Sequence, residues 1–68
     1  MDRIEELLRL LEDGKWHRIT EIYQSLKTKE TSTKRLVEFL SEHGLVHYRS
    51  SDESVKIDSD LLALLRET

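Results

Sequence analysis

The chain has 68 residues, so it forms at most one domain, and a domain of this size buries only about 60% of the surface that the unfolded chain exposes. It contains no cysteine, which excludes disulfides, thiolate metal sites and cysteine-dependent catalysis. Its net charge of −3, from 11 Lys and Arg against 14 Asp and Glu, is unusual for a nucleic-acid-binding protein, whose affinity depends largely on phosphate contacts.

The first stretch predicts an amphipathic helix over residues 2–13. Asp2 and Glu5 have the spacing of a capping box, and Gly14 supplies a terminating residue. The apolar residues recur at helical spacing, at Ile4, Leu7, Leu8 and Leu11. Because this start is acidic and no long apolar run follows, we expect neither a secretion signal nor a membrane span, and predict a cytoplasmic protein.

The middle of the chain predicts a short strand and two helices. Residues 15–18 follow a Gly-Lys turn and are expected to add one strand to a sheet. Thr20 can cap a second helix over residues 20–27. A third helix is predicted over residues 30–43, with Gly44 in the left-handed position just past its end.

The third helix has one apolar face and a basic beginning. When successive residues are set 100° apart around the helix axis, the inward face holds Thr33, Leu36, Val37 and Leu40. Residues 27–35 carry four cations against Glu30 alone, a local charge of +3 that leaves −6 for the rest of the chain. Positive charge is therefore concentrated at the N-terminal end of this helix, partly on its outward side.

The last third of the chain predicts a hairpin and a terminal helix. Residues 45–58 alternate apolar and polar side chains on both sides of the turn sequence SSDE. The inward positions of this hairpin are Val46, Tyr48, Val55 and Ile57. Residues 59–67 are predicted to form a short last helix, capped by Asp58 or Ser59.

This order of elements resembles the winged helix-turn-helix superfamily, as in small bacterial and archaeal transcription regulators. DGKWHRITEIYQSL is similar to the family's strand and first-helix entry, and RLVEFLSEHGLV to its recognition helix ending in Gly-Leu-Val. The resemblance implies an α+β fold with a three-helix core, a C-terminal hairpin wing and a short terminal helix. Thr28 and Thr33 depart from the family's pattern, which has apolar residues there, and Asp52 and Glu53 make the wing tip acidic.

The resemblance implies a DNA-binding protein, a transcription regulator whose third helix enters the major groove of double-stranded DNA. Arg35 would then read a guanine edge, while Lys27 and Lys29 hold backbone phosphates. The implied DNA-binding residues are Lys27, Lys29, Thr31, Ser32, Lys34 and Arg35. The alternative is a winged-helix module that binds another protein through its acidic surface and does not bind DNA.

The terminal helices carry more leucine than one small domain can easily bury. Four leucines crowd residues 61–65, and Leu10 lies beside the main stripe of the first helix. A large exposed apolar patch usually marks an interface. We therefore expect a homodimer through the terminal helices, with interface residues Leu10, Leu61, Leu62 and Leu65. The alternative is a last helix that folds back onto the first.

The remaining candidate residues are assigned structural roles. Trp16 is expected to pack in the core between the first helix and the sheet, and the alternative is an aromatic platform on which a base stacks. His43 and His47 are four residues apart, but the glycine between them breaks the helix, so we predict no metal site. Asp13 and His17 have no third group at a catalytic spacing, so we predict a protein that is not an enzyme and has no cofactor.

Overall fold

The computed structural model describes residues 3–67 and has an α+β fold, which confirms the predicted class. The elements of this part of the chain are, in order, α1 (Arg3–Leu10), β1 (His17–Arg18), α2 (Ile19–Ser25), α3 (Glu30–Glu42), β2 (Val46–Arg49), β3 (Ser54–Ile57) and α4 (Ser59–Glu67). The three strands form an antiparallel sheet in the order β1-β3-β2. No helix among the described residues is long and apolar enough to cross a membrane.

The first helix is shorter than the sequence pattern predicts. α1 ends at Leu10 and a turn occupies residues 11–13. The side chain of Asp13 accepts a hydrogen bond from the backbone N–H of Lys15 at 2.9 Å, and Gly14 lies at φ +75°. Such an Asx turn offers the backbone an alternative to continuing the helix. The predicted cap at Asp2 lies outside the described residues.

The second helix ends in a Schellman motif. The N–H of Thr28 bonds to the carbonyl of Tyr23 at 3.1 Å, and the N–H of Lys27 bonds to that of Gln24 at 3.3 Å. Lys27 itself lies at φ +53°, where glycine is the usual residue. The motif leaves only four residues between α2 and α3. The motif therefore fixes the basic residues of the turn next to the start of α3.

The third helix ends in the same motif, with a glycine in the left-handed position. Gly44 has φ +73° and its N–H bonds to the carbonyl of Ser41 at 3.1 Å. The N–H of Leu45 bonds to the carbonyl of Leu40 at 2.9 Å. This ending turns the chain directly from α3 into β2.

The core lies between the helices and the inner face of the sheet. The buried hydrophobic side chains of the described residues are Leu7, Leu11, Ile19, Ile22, Leu26, Val37, Leu40, Val46, Val55 and Ile57. Thr33 is buried with them at 1% exposure, and its Oγ1 has no hydrogen-bond partner within residues 3–67. An unpartnered buried hydroxyl costs about 1–3 kcal/mol. Thr33 is therefore a destabilising feature of this core.

The hairpin forms with the facing positions that its alternation predicts, and its register sets Val46 opposite Ile57 and Tyr48 opposite Val55. The prediction that Trp16 packs in the core is wrong, because its side chain is 38% exposed. Successive side chains along an extended segment point to opposite faces of a sheet. The side chain of His17 points to the inner face of the sheet, so that of Trp16, one residue earlier, points to the outer face.

Candidate functional site

The six predicted DNA-binding residues are all exposed and lie together at the beginning of α3 and in the turn before it. We call this region the α3 surface; it consists of Lys27, Lys29, Thr31, Ser32, Lys34 and Arg35. Thr31 and Arg35 are one helical turn apart on the outward side, whereas Lys34 lies on the flank that faces the hairpin. The tight α2–α3 turn brings the two lysines of the turn beside these helical residues.

Lys34 is paired with two carboxylates. Its Nζ lies 3.7 Å from Glu30 Oε2, one turn earlier in α3, and 3.6 Å from Glu53 Oε1 in the hairpin turn. The charges of Glu30 and then Glu53 raise the pKa of Lys34 above its ordinary value. Glu53 is the partner that sequence spacing does not reveal, since it lies 19 positions further along the chain. The positive charge of Lys34 is therefore compensated within the protein.

The other three cations of the α3 surface are not compensated in this way. Within residues 3–67, neither Lys27, Lys29 nor Arg35 has a carboxylate within 4.0 Å. Glu38, one turn after Arg35 and Lys34, pairs with neither of them. Lys29 occupies the N-cap position of α3 without a side-chain hydrogen bond to the helix. We call these three residues the open cations.

At the hairpin turn, Arg49 at the end of β2 is paired with the carboxylate of Asp52. Arg49 Nε donates to Asp52 Oδ1 at 3.0 Å and its Nη2 donates to Asp52 Oδ2 at 2.7 Å. This two-bonded pairing lowers the pKa of Asp52 to about 2, because the hydrogen bonds from Arg49 favour the ionised carboxylate. With Glu53 beside this pair, the turn presents negative charge to its surroundings.

A shallow groove of about 250 Å³ separates α3 from the hairpin. Its walls are Ile19, Lys34, Val37, Glu38, Ser41 and Tyr48. Pockets that enclose small molecules usually measure about 300–1,000 Å³. The groove is therefore too small and open to favour a small-molecule site.

His17 lies between two carboxylates in the turn after α1. Its Nε2 is 2.9 Å from Asp13 Oδ1 and its Nδ1 is 2.6 Å from Glu21 Oε2. Burial opposes protonation, but the hydrogen bonds to Asp13 and Glu21 outweigh it and raise the pKa of His17 above its ordinary value. An imidazolium with both ring N–H groups donating fits this geometry.

The sequence interpretation missed Glu21 as a second carboxylate, although its spacing of four residues from His17 was visible. The three side chains tie the α1–β1 turn to the first turn of α2. No group of three His, Cys, Asp or Glu side chains in the described part of the chain is arranged to hold a metal ion. The cluster is thus an ionic clamp, and no nucleophile accompanies it among its hydrogen-bond partners.

The leucines of α4 divide into two groups. Leu61 and Leu62 are partly buried against the core, and Leu62 lies so close to Gly14 that a Cβ there would meet its Cδ2 at 3.0 Å. Leu64 and Leu65 are 60% and 43% exposed. The helix therefore folds back onto the turn after α1 and leaves its second half with apolar side chains at the surface.

Leu10 lies apart from the α4 leucines with which it was grouped as an interface residue. Leu65 borders a groove with Ile4 and Leu8, whereas Leu10 borders a different one with Ser25 near the end of α2. Leu8 and Leu10 are two positions apart, which separates them by about 160° around the helix axis. The C-terminal helix lies on the Leu8 side of α1.

Comparison with protein-family models, with curated proteins and with solved structures finds no match for this chain.

Proposed function

We propose that this chain is a winged helix-turn-helix domain that binds double-stranded DNA through the α3 surface, as a small transcription regulator. The order of elements and the strand order β1-β3-β2 support this fold assignment. The four-residue connection between α2 and α3 is the short turn that a helix-turn-helix requires. The hairpin of β2 and β3 is the wing of this arrangement.

The observation that carries the proposal is the group of three open cations at the beginning of α3. Arg35 projects outward with Thr31 and can make a two-bonded contact with a guanine edge in the major groove. Lys27 and Lys29 precede α3 at the point where it would enter the major groove, and they can contact backbone phosphates. Such contacts position a protein on DNA without reading the sequence. The uncapped N-terminus of α3 adds backbone N–H donors at the same place.

The conformation of Lys27 also supports a role for its charge. A non-glycine residue in the left-handed region costs about 1–2 kcal/mol. Lys27 occupies such a position at φ +53°, where glycine would relieve the strain. Binding of a DNA phosphate by the lysine charge would account for this strained residue, since strained residues often occur at functional sites.

The wing is assigned a minor role in this binding. Lys34 is held by Glu30 and Glu53, and Arg49 is held by Asp52. If the hairpin turn contacted DNA phosphates, the negative charges of Asp52 and Glu53 would be repelled by them. We therefore attribute the electrostatic part of the affinity to the open cations. We expect them to neutralise about three DNA phosphates for each subunit bound.

The test is fluorescence anisotropy of labelled duplexes of mixed sequence at several salt concentrations. For each subunit bound, log K should fall against log salt with a slope of about −3, because each phosphate neutralised contributes about −0.9. Alanine at all three open cations should abolish most of this slope. A control with the same change in net charge replaces Arg9, Lys15 and Arg66, which are exposed outside the α3 surface. Equal losses in the two triple variants would reject the α3 surface as the binding site.

We further propose that the domain is a homodimer through the second half of α4. The apolar surface of Leu64 and Leu65 continues into the groove beside Ile4 and Leu8, which a second copy can cover. A two-fold dimer would present two α3 helices to successive major grooves. Leu64→Asp with Leu65→Asp should give monomers of lower thermal stability, because both leucines lie in the exposed second half of α4. Sedimentation of the unmutated protein as a monomer at micromolar concentration would contradict the dimer.

One observation favours a protein partner as the second candidate. Phe39 is 51% exposed on α3, about 40° around the helix from Arg35, with its ring 4.6 Å from that of His43. Exposed aromatic residues are typical anchors of protein interfaces. Binding of an apolar protein surface would be nearly insensitive to salt, so the same salt series distinguishes the two candidates.

A further inference from the structure

The outer face of the sheet brings together basic and aromatic side chains from three strands. Arg18 lies opposite Ser54, and Ser54 lies opposite Arg49, so the two arginines share one face. Lys56 alternates with the buried Val55 and Ile57 and therefore points to the same outer face. The core side chains of α3 pack on the inner face, so this outer face points away from the α3 surface.

Trp16 lies among these cations. Its ring centroid is 4.3 Å from Arg49 Cζ and 5.7 Å from Lys56 Nζ. These distances are within the range of cation–π attraction. The ring is nevertheless 38% exposed, although tryptophan is highly buried on average in folded proteins. We call Trp16, Arg18, Arg49 and Lys56 the sheet platform.

The sheet platform is positively charged on a chain whose net charge is −3. Arg49 is engaged by Asp52, but Arg18 and Lys56 have no carboxylate within 4.0 Å among residues 3–67. Lys56 Nζ lies 5.7 Å from the ring centroid, and Arg18, two residues after Trp16 in the same segment, points to the same face by alternation. The platform thus combines a partly exposed aromatic ring, over which Arg49 already lies, with two cations that are available to an anion.

We propose that the sheet platform binds an unpaired strand of nucleic acid. A base stacks on the exposed part of Trp16, and Arg18 and Lys56 contact the phosphates on either side of it. Aromatic side chains on a basic sheet are a general means of holding single strands, because every base has a face that can stack. The site is separate from the α3 surface, and its function does not depend on duplex binding there.

The combination of groups selects this occupant over two others. The faces of bases in a duplex are covered by their neighbours, so duplex DNA would use the cations and gain nothing from the ring. An acidic peptide would also engage the cations, but it offers no planar group to stack on Trp16. Only an unpaired strand uses both features of the platform.

Trp16 is the single tryptophan of the chain, so its fluorescence reports directly on the site. The experiment titrates the protein with an oligothymidylate of about twelve nucleotides, a length that one small domain can cover. We expect saturable quenching that weakens as salt rises. A duplex at the same phosphate concentration, and an oligoglutamate of similar charge, should quench weakly. Absence of quenching at low salt, or equal quenching by oligoglutamate, would overturn the proposal.

Variants separate this site from the α3 surface. Anisotropy of a labelled oligothymidylate should show an affinity loss of at least about fivefold for Trp16→Leu, the effect of one lost stacked base. Lys56→Gln keeps the tryptophan and should flatten the salt slope by about 1. The matched charge control is Arg66→Gln on α4, which should bind as the unmutated chain does.

Arg35→Ala distinguishes failure of this inference from failure of the proposed duplex binding. It should leave oligothymidylate affinity unchanged whatever its effect on duplexes. If Arg35→Ala weakens oligothymidylate binding as much as Lys56→Gln does, the single strand occupies the α3 surface and the sheet platform is rejected. Unchanged affinity in both Trp16→Leu and Lys56→Gln would reject it as well.

Discussion

The beginning of α3 and the turn of the hairpin both carry cations, yet they present opposite electrostatics. In the hairpin turn, Asp52 binds Arg49 through two hydrogen bonds, and Glu53 reaches across to Lys34. At the beginning of α3 the open cations have no such partner among the described residues. Neither the net charge of −3 nor a count of lysines distinguishes these regions. The placement of each carboxylate decides which cations an external anion can use.

The largest effect is expected from Arg35, the open cation that we propose reads a base. Arg35→Ala should lower the affinity for a preferred duplex by about 1–3 kcal/mol, the value of one good two-bonded contact, and relax sequence preference at one position. Arg49→Ala is the matched change of a compensated arginine and should have little effect. Competition binding with a selected duplex measures both. Equal effects of the two substitutions would remove the contrast between the regions.

A buried change on the same helix separates folding from binding. Thr33→Val keeps the shape of the side chain and removes a buried hydroxyl that has no partner among the described residues. The free energy of unfolding should rise by about 1 kcal/mol, because the desolvation cost of that group disappears. Urea denaturation measures it. Duplex affinity should stay the same, and a decrease in stability would mean that the hydroxyl is hydrogen-bonded in solution.

An open cation that contacts only phosphate should behave differently from Arg35. Lys29→Ala should weaken binding to all duplexes alike and reduce the salt slope by about 1, since a phosphate contact carries no sequence information. The salt series with two unrelated duplexes tests both statements. A loss confined to one sequence would move Lys29 to the base-reading group.

Removing a carboxylate should convert a compensated cation into an open one. Glu53→Gln keeps the backbone carbonyl that accepts from the N–H of Ile19 at 2.8 Å, and it frees Lys34 from one of its two partners. Duplex affinity should rise modestly, and the salt slope should steepen by up to about 1. Glu67→Gln, on α4, is the control of equal charge. If only the control raised affinity, the Lys34 pairing would have no bearing on binding.

The smallest effect concerns the pH dependence of the hairpin turn. The pKa of Asp52 lies at about 2 in the folded chain against an ordinary value of 3.8. Because the folded value is the lower one, the contribution of this pair to stability is present above pH 3.8 and is lost as the pH falls towards about 2. NMR titration of the carboxyl carbon measures it. In Arg49→Gln the pKa should return towards 3.8, and an unchanged low value would mean that another group depresses it.

Local patterns predicted those features that depend on neighbours in the chain. The alternation around SSDE predicted that Val46, Tyr48, Val55 and Ile57 share one face of the hairpin, because side chains in a strand alternate with a period of two. Gly44 was predicted at the end of the third helix, because its left-handed conformation is strained for other residues. The end of α2 was harder to predict, since a lysine occupies the position where glycine is usual.

Patterns could not predict features that depend on which elements meet. Trp16 was assigned to the core for its size, but the face it takes depends on the pairing of His17 with Val55 in a strand 38 positions away. Leu10 was grouped with the C-terminal leucines, although the side of α1 that α4 covers is set by the return of the chain after β3. In both cases the contacts are made with residues that are distant in the sequence.

The sequence by itself determined the α+β class, the inward positions of the hairpin and the basic segment at residues 27–35, because hydrophobic period, turn residues and charge are local properties. Only the tertiary structure decided which cations remain open. Glu53 neutralises Lys34 because the hairpin turn lies against α3, and Trp16 meets Arg49 and Lys56 because β3 pairs with both other strands. Electrostatic and stacking interactions act over a few ångströms in space, and the fold sets those distances.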